Sequence, residues 1–488
     1  MTQRRNPIII QGGMGAAVSS WLLARTVSKA GQLGVVSGTG LDAVFIRRLQ
    51  LGDRDGELRW ALNRFPNPKI ARRILDQYFV PDGKKPDEPF LGTPVPHLGV
   101  TPEAVELLVV ANFVEVCLAK REHDGLVGIN YLEKIQLPTL PSLFGAMLAG
   151  VDFVLMGAGI PRLIPGILDR LSQGERVSLP LSVEEAAIDD EFDVEFDPAT
   201  IVDGHVPPLA RPRFLAIVSS TTLATMLTRK STGRVDGFVV EGPTAGGHNA
   251  PPRGPKIRNS RGEPIYGERD VPDLAVFRSL GVPFWLAGSY GSSEHVVEAL
   301  AAGAAGVQVG TAFAFCEESA LEPDVKRRTI EMCRRGQCDV FTDSDASPAG
   351  FPFKVLRLDG SLSEAEVYEA RRRVCDLGYL RHAYKKPDGT LGWRCPAEGV
   401  DVYVKKGGDV GDTRGRKCLC NALLANIGVA QVRRDGYCEL PLITCGDDVR
   451  RVTEFLPTPD AESYSAHDVL AKLLSRVPPE RLAATDNA

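Results

Sequence analysis

One repeated sequence pattern covers most of this 488-residue chain and limits the folds that it can adopt. Between residues 7 and 353, short apolar runs rich in valine and isoleucine each end in glycine or a small polar residue, and a helix-like stretch follows. The pattern indicates repeated strand–helix units, and near-continuous apolar runs are typical of parallel strands covered on both faces. The eight candidate strands are residues 7–11, 34–37, 126–130, 153–156, 213–218, 237–241, 283–287 and 306–309.

Eight such units predict an α/β fold, a TIM (β/α)8 barrel, with a doubly wound open sheet as the alternative. Residues 41–97 are too long for a loop between a strand and a helix, and they contain helical candidates. They predict a helical insertion after strand 2. The repeated pattern ends after residue 353, so we predict a barrel over residues 1–355 and a C-terminal cap or appendage over residues 356–488.

The composition argues against several classes of protein. The chain has 57 Lys and Arg against 62 Asp and Glu, and this formal charge of -5 argues against a nucleic-acid partner. No stretch reaches the ~18 uninterrupted apolar residues of a membrane span, and the apolar run at residues 8–10 is too short for a signal peptide. We therefore expect a cytoplasmic protein without a membrane partner. The acidic segment at residues 182–197 predicts an exposed loop.

A glycine-rich loop that carries a histidine follows the sixth candidate strand, in the sequence VVEGPTAGGHNAPPRG. At the carboxyl end of a barrel strand, this loop would aim His248 inward. Gly246 and Gly247 would let a flat or anionic ligand approach the backbone closely. Because histidine can donate or accept a proton near neutral pH, we predict that His248 is catalytic. The alternative is a structural histidine on a tight loop.

The seventh and eighth candidate strands end in small residues, which are GSYG at residues 288–291 and Gly310-Thr311. Their successive backbone N–H groups can form an anion-binding nest, and this is the usual phosphate position of a barrel. The predicted phosphate-binding residues are Gly288, Ser289, Gly291, Gly310 and Thr311.

The first candidate strand ends in the sequence PIIIQGGMG, which places Gly12, Gly13 and Met14 on the rim of the predicted barrel. Glycine at this point would let a planar cofactor lie against the main chain. Met14 would supply a soft apolar face. We predict that all three residues contact a cofactor; the alternative is a turn that only leads into the following helix.

The order of these motifs resembles that of the nitronate monooxygenase family, formerly called 2-nitropropane dioxygenases. The segments LVGINYL, VDFVLMGAGIP, RFLAIVSS and GVQVGTAFAFCEES also carry the resemblance, which covers about residues 7–353. This family is an FMN-binding TIM barrel related to flavin-dependent enoyl-acyl-carrier-protein reductases. The resemblance implies FMN as the cofactor, His248 as the active-site base or nitronate-binding residue, and Asn130 as a flavin contact.

The chain departs from the family pattern at two places. Ser289 follows Gly288 where members commonly have a second glycine, and a backbone N–H survives that change. Val218, Ser219 and Ser220 stand near the end of the fifth strand, where some members have a lysine. A cation over the flavin ring is therefore not expected from that strand.

The resemblance implies an FMN-dependent monooxygenase that oxidises alkyl nitronates with O2. Two alternatives stay open. One is an NAD(P)H-dependent enoyl-thioester reductase of a fatty acid or polyketide pathway, and the other is a non-catalytic FMN-binding assembly subunit. The partners would be a small-molecule substrate, either a nitronate or an enoyl thioester, and O2. A homodimer and an acyl-carrier partner stay open as well.

The C-terminal region holds six of the ten cysteines, which are Cys375, Cys395, Cys418, Cys420, Cys438 and Cys445. They are separated by 19, 22, 1, 17 and 6 intervening residues, and this spacing matches no common zinc or iron–sulfur motif. We therefore predict reduced thiols and no metal site. The histidines that likewise lack metal-ligand spacing are His97, His123, His205, His295, His382 and His467.

Overall fold

The structure is a computed structural model that describes residues 6–202 and 206–486. His205 and the first five residues therefore lie outside the described residues. Within the described ranges, no helix is long and apolar enough to cross a membrane.

Strands are followed by helices in most of the first two thirds of the chain. In chain order the strands are β1 (Ile9–Gln11), β2 (Gly34–Ser37), β3 (Val127–Leu132), β4 (Phe153–Gly157), β5 (Val177–Pro180), β6 (Val183–Glu184), β7 (Asp193–Phe196), β8 (Arg213–Val218), β9 (Gly237–Glu241), β10 (Phe284–Ala287), β11 (Gly306–Val309), β12 (Val340–Asp343), β13 (Phe353–Leu356), β14 (His382–Lys385) and β15 (Leu391–Arg394). The α-helices are α1 (Trp21–Lys29), α2 (Leu41–Gln50), α3 (Glu57–Leu62), α4 (Pro68–Tyr78), α5 (Pro102–Ala119), α6 (Thr139–Leu148), α7 (Ile164–Ser172), α8 (Thr221–Lys230), α9 (Leu274–Ser279), α10 (Ser293–Ala301), α11 (Thr311–Ala314), α12 (Pro323–Arg334), α13 (Ala365–Ala370), α14 (Val400–Lys405), α15 (Leu419–Ala425), α16 (Ala466–Leu474) and α17 (Pro479–Asp486). Short 3-10 helices cover Pro198–Thr200, Glu268–Asp270, Val410–Thr413 and Asp447–Phe455.

Eight parallel strands form the central sheet in the order β1-β11-β10-β9-β8-β4-β3-β2. The two ends of this sheet meet, because Ile10 bridges Leu33 just before β2 and the Gln11 N–H donates to the Leu33 carbonyl at 2.9 Å. The order around the sheet follows the order along the chain, as in a barrel and unlike a doubly wound sheet. The TIM-barrel prediction is confirmed, with all eight candidate strands in place.

The inside of the barrel is apolar along most of the strands and polar at their carboxyl ends, which form its mouth. Alternate strand residues form a separate enclosed cluster, which includes Ile10, Val35, Phe153, Leu155, Leu215, Val239 and Trp285. Burying one such side chain contributes ~1.5–3 kcal/mol, so this cluster holds the strands together. Because side chains on a strand alternate, the next inward positions toward the carboxyl ends are Asn130, Glu241 and Gln308. The polar layer at the mouth is where a ligand can bind.

The predicted insertion after strand 2 is helical, with α2, α3 and α4 preceding the long helix α5. It contacts the C-terminal region directly. The Tyr379 hydroxyl donates to a carboxyl oxygen of Asp42 at 2.6 Å, and the Arg47 guanidinium donates to the Val429 carbonyl at 2.7 Å. The insertion and the C-terminal region therefore pack against each other beside the barrel.

The acidic segment at residues 182–197 is exposed over most of its length, as predicted, but strands form at both of its ends. β7 pairs antiparallel with β5, and β6 pairs parallel with β14 from the C-terminal region. The Glu184 carboxylate binds the Arg394 guanidinium at 2.7 Å and the His382 ring at 2.7 Å. The negative charge of this segment is thus partly neutralised within the chain, by residues 198 and 210 positions away.

Candidate active site

A cleft of about 1270 Å³, including space open to solvent, lies at the carboxyl ends of the barrel strands. All but one of the predicted site residues line it. Those residues are Gly12, Gly13, Met14, Asn130, Gly246, Gly247, His248, Gly288, Ser289, Gly310 and Thr311. Gly291 is the exception, and its role and those of the others remain predictions. The fold thus brings together motifs from β1, β3, β9, β10 and β11.

Two features of the backbone shape the rim of this cleft. A Cβ atom on Gly13 would lie 2.4 Å from the Cβ of Asn130, so only glycine lets the end of β1 lie against β3. Ser289 has a φ of 59°, in the left-handed region that side chains rarely adopt. Such conformations cost ~1–3 kcal/mol and persist where the surrounding structure fixes them, often at ligand sites.

His248 faces the cleft and is packed on its other sides. Its Nε2 is hydrogen-bonded to the Ser347 hydroxyl at 2.7 Å, and its ring contacts Phe353 edge-to-face with the ring centres 4.9 Å apart. Burial lowers the pKa of His248 to about 4, because the charged form would lose its hydration. The imidazole is therefore neutral at physiological pH.

Ser347 is held firmly against this ring. Its hydroxyl accepts a hydrogen bond from the Ala349 N–H at 3.2 Å, and its carbonyl accepts one from the Arg416 guanidinium at 2.7 Å. Ser347 thus links His248 to the C-terminal region. Sequence reasoning missed it, because a serine in the segment DSDASPAG gives no signal that it will meet a histidine 99 residues earlier.

Glu241 adds a carboxyl group to the same cleft, at the inward end of β9. Burial raises its pKa to about 8, since no cation compensates the lost hydration of the carboxylate. Glu241 is therefore protonated and uncharged at neutral pH. The sequence offered a signal, because Glu241 stands at the mouth of a predicted barrel strand, where polar residues are usually functional.

Two buried polar atoms in the cleft lack a hydrogen-bond partner among the described residues. They are the Ser289 hydroxyl oxygen and the amide oxygen of Gln308. An unpaired buried polar atom costs ~1–3 kcal/mol, so both atoms point to a polar ligand that would pair with them. A flavin carries suitable donors on its ring edge and its ribityl chain. The cleft fits a flavin at these atoms and at the glycine rim.

The C-terminal region supplies the opposite wall of the cleft, which the sequence did not indicate. Its lining residues are Leu423, Thr444, Cys445, Gly446 and Asp448. Among the described residues that line the cleft, none is a lysine or an arginine. Asp448 is the one acidic residue among these five.

The fold also brings together cysteines that are far apart in the sequence. Cys375 and Cys395 lie close enough for each thiol to shift the pKa of the other, and Cys418 lies close enough to raise the pKa of Cys420. No group of three or more His, Cys, Asp or Glu within residues 6–202 and 206–486 is arranged to hold a metal ion. The absence of a metal stays a prediction.

Part of the chain is similar to a known protein family. The family described as nitronate monooxygenase matches residues 203–339, a segment that carries β8 to β11 and His248. This match confirms the resemblance predicted from the motifs, and it identifies the class as flavin-dependent oxidoreductases. No curated protein matches the chain.

Several solved structures are similar to the chain at low sequence identity. FabK from Thermotoga maritima has 17% identity and a TM-score of 0.47, with 99% of this chain and 96% of that chain covered. Nitroalkane oxidase from Streptomyces ansochromogenes has 17% identity and a TM-score of 0.43, with 98% of this chain and 97% of that chain covered. The enoyl reductase domain of MlnA from Bacillus amyloliquefaciens has 12% identity and a TM-score of 0.47, with 99% and 96% covered.

Proposed function

We propose that this chain is an FMN-dependent oxidoreductase that oxidises alkyl nitronates with O2. The observation that carries the proposal is a neutral histidine, His248, which faces a cleft rimmed by glycine backbone and lined by unpaired polar atoms. A bound flavin would accept two electrons from the substrate and pass them to O2.

The residues of this chain that would bind a flavin lie at four strand ends, those of β1, β3, β10 and β11. Gly12, Gly13 and Met14 would lie against the ring, with Asn130 beside them. Ser289 and Gln308 would pair with polar atoms of the cofactor. The backbone of Gly288, Gly310 and Thr311 offers donors for one terminal phosphate. One such nest and no second phosphate motif in the sequence favour FMN over FAD.

The pKa of His248 selects between two roles for this residue. A group with a pKa of about 4 is a weak base, so it is poorly suited to remove the α-proton of a neutral nitroalkane. A nitronate has already lost that proton. If the Ser347 hydroxyl donates to Nε2, the ring proton is on Nδ1, where it can be donated to a substrate oxygen. We therefore assign His248 to orienting the nitronate.

Glu241 supports the same substrate. With its pKa raised to about 8 by burial, this carboxyl carries no charge at neutral pH and does not repel an anionic nitronate. Phe351 and Phe353 pack around His248 and keep water from that side of the ring. The arrangement suits an anion that is held by hydrogen bonds in a poorly hydrated cleft.

Anaerobic mixing of the purified protein with propyl nitronate, with neutral nitropropane and with NADPH tests this proposal. We expect propyl nitronate to bleach the flavin absorbance rapidly, and nitropropane at the same pH to bleach it much more slowly. Bleaching by NADPH alone would overturn the assignment and support an enoyl-thioester reductase. Chromatography of the acid-released cofactor tests the choice of FMN.

A further inference from the structure

A short segment of the C-terminal region, residues 444–448, crosses the mouth of the barrel, and we call it the cover segment. Three hydrogen bonds, two from its backbone and one to a side chain, fix it to the barrel loops. Gly247 N–H donates to Thr444 Oγ1 at 2.8 Å, Gly446 N–H donates to Thr311 Oγ1 at 2.9 Å, and Asp447 N–H donates to the Thr244 carbonyl at 3.0 Å. The cover segment therefore contacts the ends of both β9 and β11.

Two glycines permit this close docking. A Cβ atom on Gly446 would lie 2.9 Å from the Thr244 carbonyl oxygen, and a Cβ atom on Gly246 would lie 2.7 Å from the carbonyl carbon of Cys445. Distances under 3.0 Å cannot be relieved here, because the neighbouring atoms belong to the backbone. Both the barrel loop and the cover segment therefore need a glycine at this contact.

Docking places the carboxyl group of Asp448 at the predicted phosphate nest. The Thr311 hydroxyl and the Gly291 N–H lie close enough to this carboxyl to lower its pKa as hydrogen-bond donors, and a Cβ atom on Gly291 would lie 2.8 Å from its Oδ2. Burial raises the pKa of Asp448, while the two hydrogen bonds oppose that rise. The chain's own carboxyl group therefore lies against donors at the ends of β10 and β11.

A carboxylate and a phosphate cannot share these donors without a cost. Two negative charges a few ångströms apart repel each other, and no lysine or arginine among the described lining residues offsets them. The nearby Lys354 ammonium is occupied, since it binds the Asp447 carboxylate and the Thr342 hydroxyl, each at 2.8 Å. The phosphate would have to displace Asp448 or bind beside it.

We propose that Asp448 determines flavin specificity at the phosphate end of the cleft: its carboxylate takes donors that a phosphate would use, so the chain scarcely distinguishes FMN from riboflavin. The contacts of the ring and the ribityl chain then provide most of the affinity. This inference rests on the proposed flavin-dependent function and adds a residue that sets which form of the flavin is preferred.

Titration of the full-length protein, freed of flavin, with FMN and separately with riboflavin tests the inference through quenching of flavin fluorescence. For the wild type we expect the two dissociation constants to agree within about threefold. In Asp448→Asn the charge is gone but the shape is kept, so FMN should bind at least about tenfold more tightly while riboflavin affinity changes less than about twofold.

Two further variants keep the test sharp. Asp448→Ala should also bind FMN more tightly than the wild type. Thermal unfolding of both variants checks that neither substitution destabilises the docked cover segment. Glu454→Gln removes an exposed carboxylate farther along the same 3-10 helix and should leave both dissociation constants unchanged.

The outcomes separate this inference from the proposed function. Flavin binding in which the Asp448 variants leave the FMN-to-riboflavin ratio unchanged overturns the role of Asp448 alone. A wild-type preference for FMN of more than about 100-fold does the same. If the wild type binds neither flavin, the proposed function fails as well.

Discussion

The two walls of the cleft differ in the chemistry that they present. The barrel wall offers backbone N–H groups, glycines and the neutral ring of His248, and the wall from the C-terminal region offers the Asp448 carboxyl and the Cys445 thiol. Backbone donors bind any flat or anionic ligand of suitable size, whereas a buried side chain can reject one ligand and admit another. We therefore propose that the barrel wall provides binding and chemistry and that the C-terminal wall provides selection.

The largest effect is expected from His248→Ala, which changes the barrel wall and leaves the C-terminal wall intact. Because flavin binding is assigned to the strand ends and not to this ring, His248→Ala should keep its flavin. Loss of one hydrogen-bond donor that is aimed at a reacting oxygen typically costs ~10²- to 10³-fold, so we expect turnover of propyl nitronate to fall in that range. Stopped-flow flavin reduction, normalised to flavin content, measures the effect.

The matched control for that variant is Ser361→Ala, which removes a buried serine hydroxyl that donates to the Leu358 carbonyl away from the cleft. It should leave the rate per bound flavin unchanged. If His248→Ala reduces its flavin within about threefold of the wild-type rate, His248 has a structural role and the barrel wall only binds.

The barrel wall could be predicted from sequence far better than the C-terminal wall, and the reason is physical. Parallel strands buried on both faces need continuous apolar runs, and a strand end that approaches a ligand needs glycine, so both leave local signals. Gln308 also left one, as a polar residue within the otherwise apolar strand β11. Asp448 left none, because its position depends on contacts with Gly291 and Thr311 more than 130 residues earlier.

Ser347 connects the two walls, and its removal should have the next largest effect. Ser347→Ala deletes the hydroxyl that positions the His248 ring. One hydrogen bond contributes ~1 kcal/mol, so we expect turnover to fall about fivefold to tenfold with little change in KM. Ser347→Thr retains a hydroxyl and should restore most of the rate. An equal loss in the threonine variant would show that packing, and not the hydrogen bond, is what matters.

The charge of the barrel wall should change with pH through Glu241. Its pKa is raised to about 8, so the group is neutral below that pH and becomes a carboxylate above it. An anionic nitronate is then repelled, and kcat/KM should fall about fourfold between pH 7 and pH 8.5, as expected for one ionisation at about pH 8. The pKa of His248, lowered to about 4, adds no transition in this range.

The variant Glu241→Gln isolates that ionisation, since a glutamine has the same shape and never becomes charged. Its kcat/KM for propyl nitronate should stay level from pH 7 to pH 8.5. A wild-type profile that is flat to pH 9, or the same decline in the glutamine variant, would assign the pH dependence to another group.

The smallest effect is expected from chelators, which test the C-terminal region alone. Two thiol pairs, Cys375 with Cys395 and Cys418 with Cys420, lie close together there although their spacing in the sequence matches no metal motif. The neighbouring thiol and burial raise the pKa of Cys395 and of Cys420, and a metal ion binds the thiolate, so these two thiols favour the neutral form that does not bind metal. We therefore expect elemental analysis of the dialysed protein to find no stoichiometric zinc or iron, and chelators to change neither the melting temperature nor turnover. Stoichiometric metal that is lost in Cys395→Ser would contradict this prediction and identify these four thiols as its ligands, because four thiolates are a complete coordination shell for zinc or an iron–sulfur cluster.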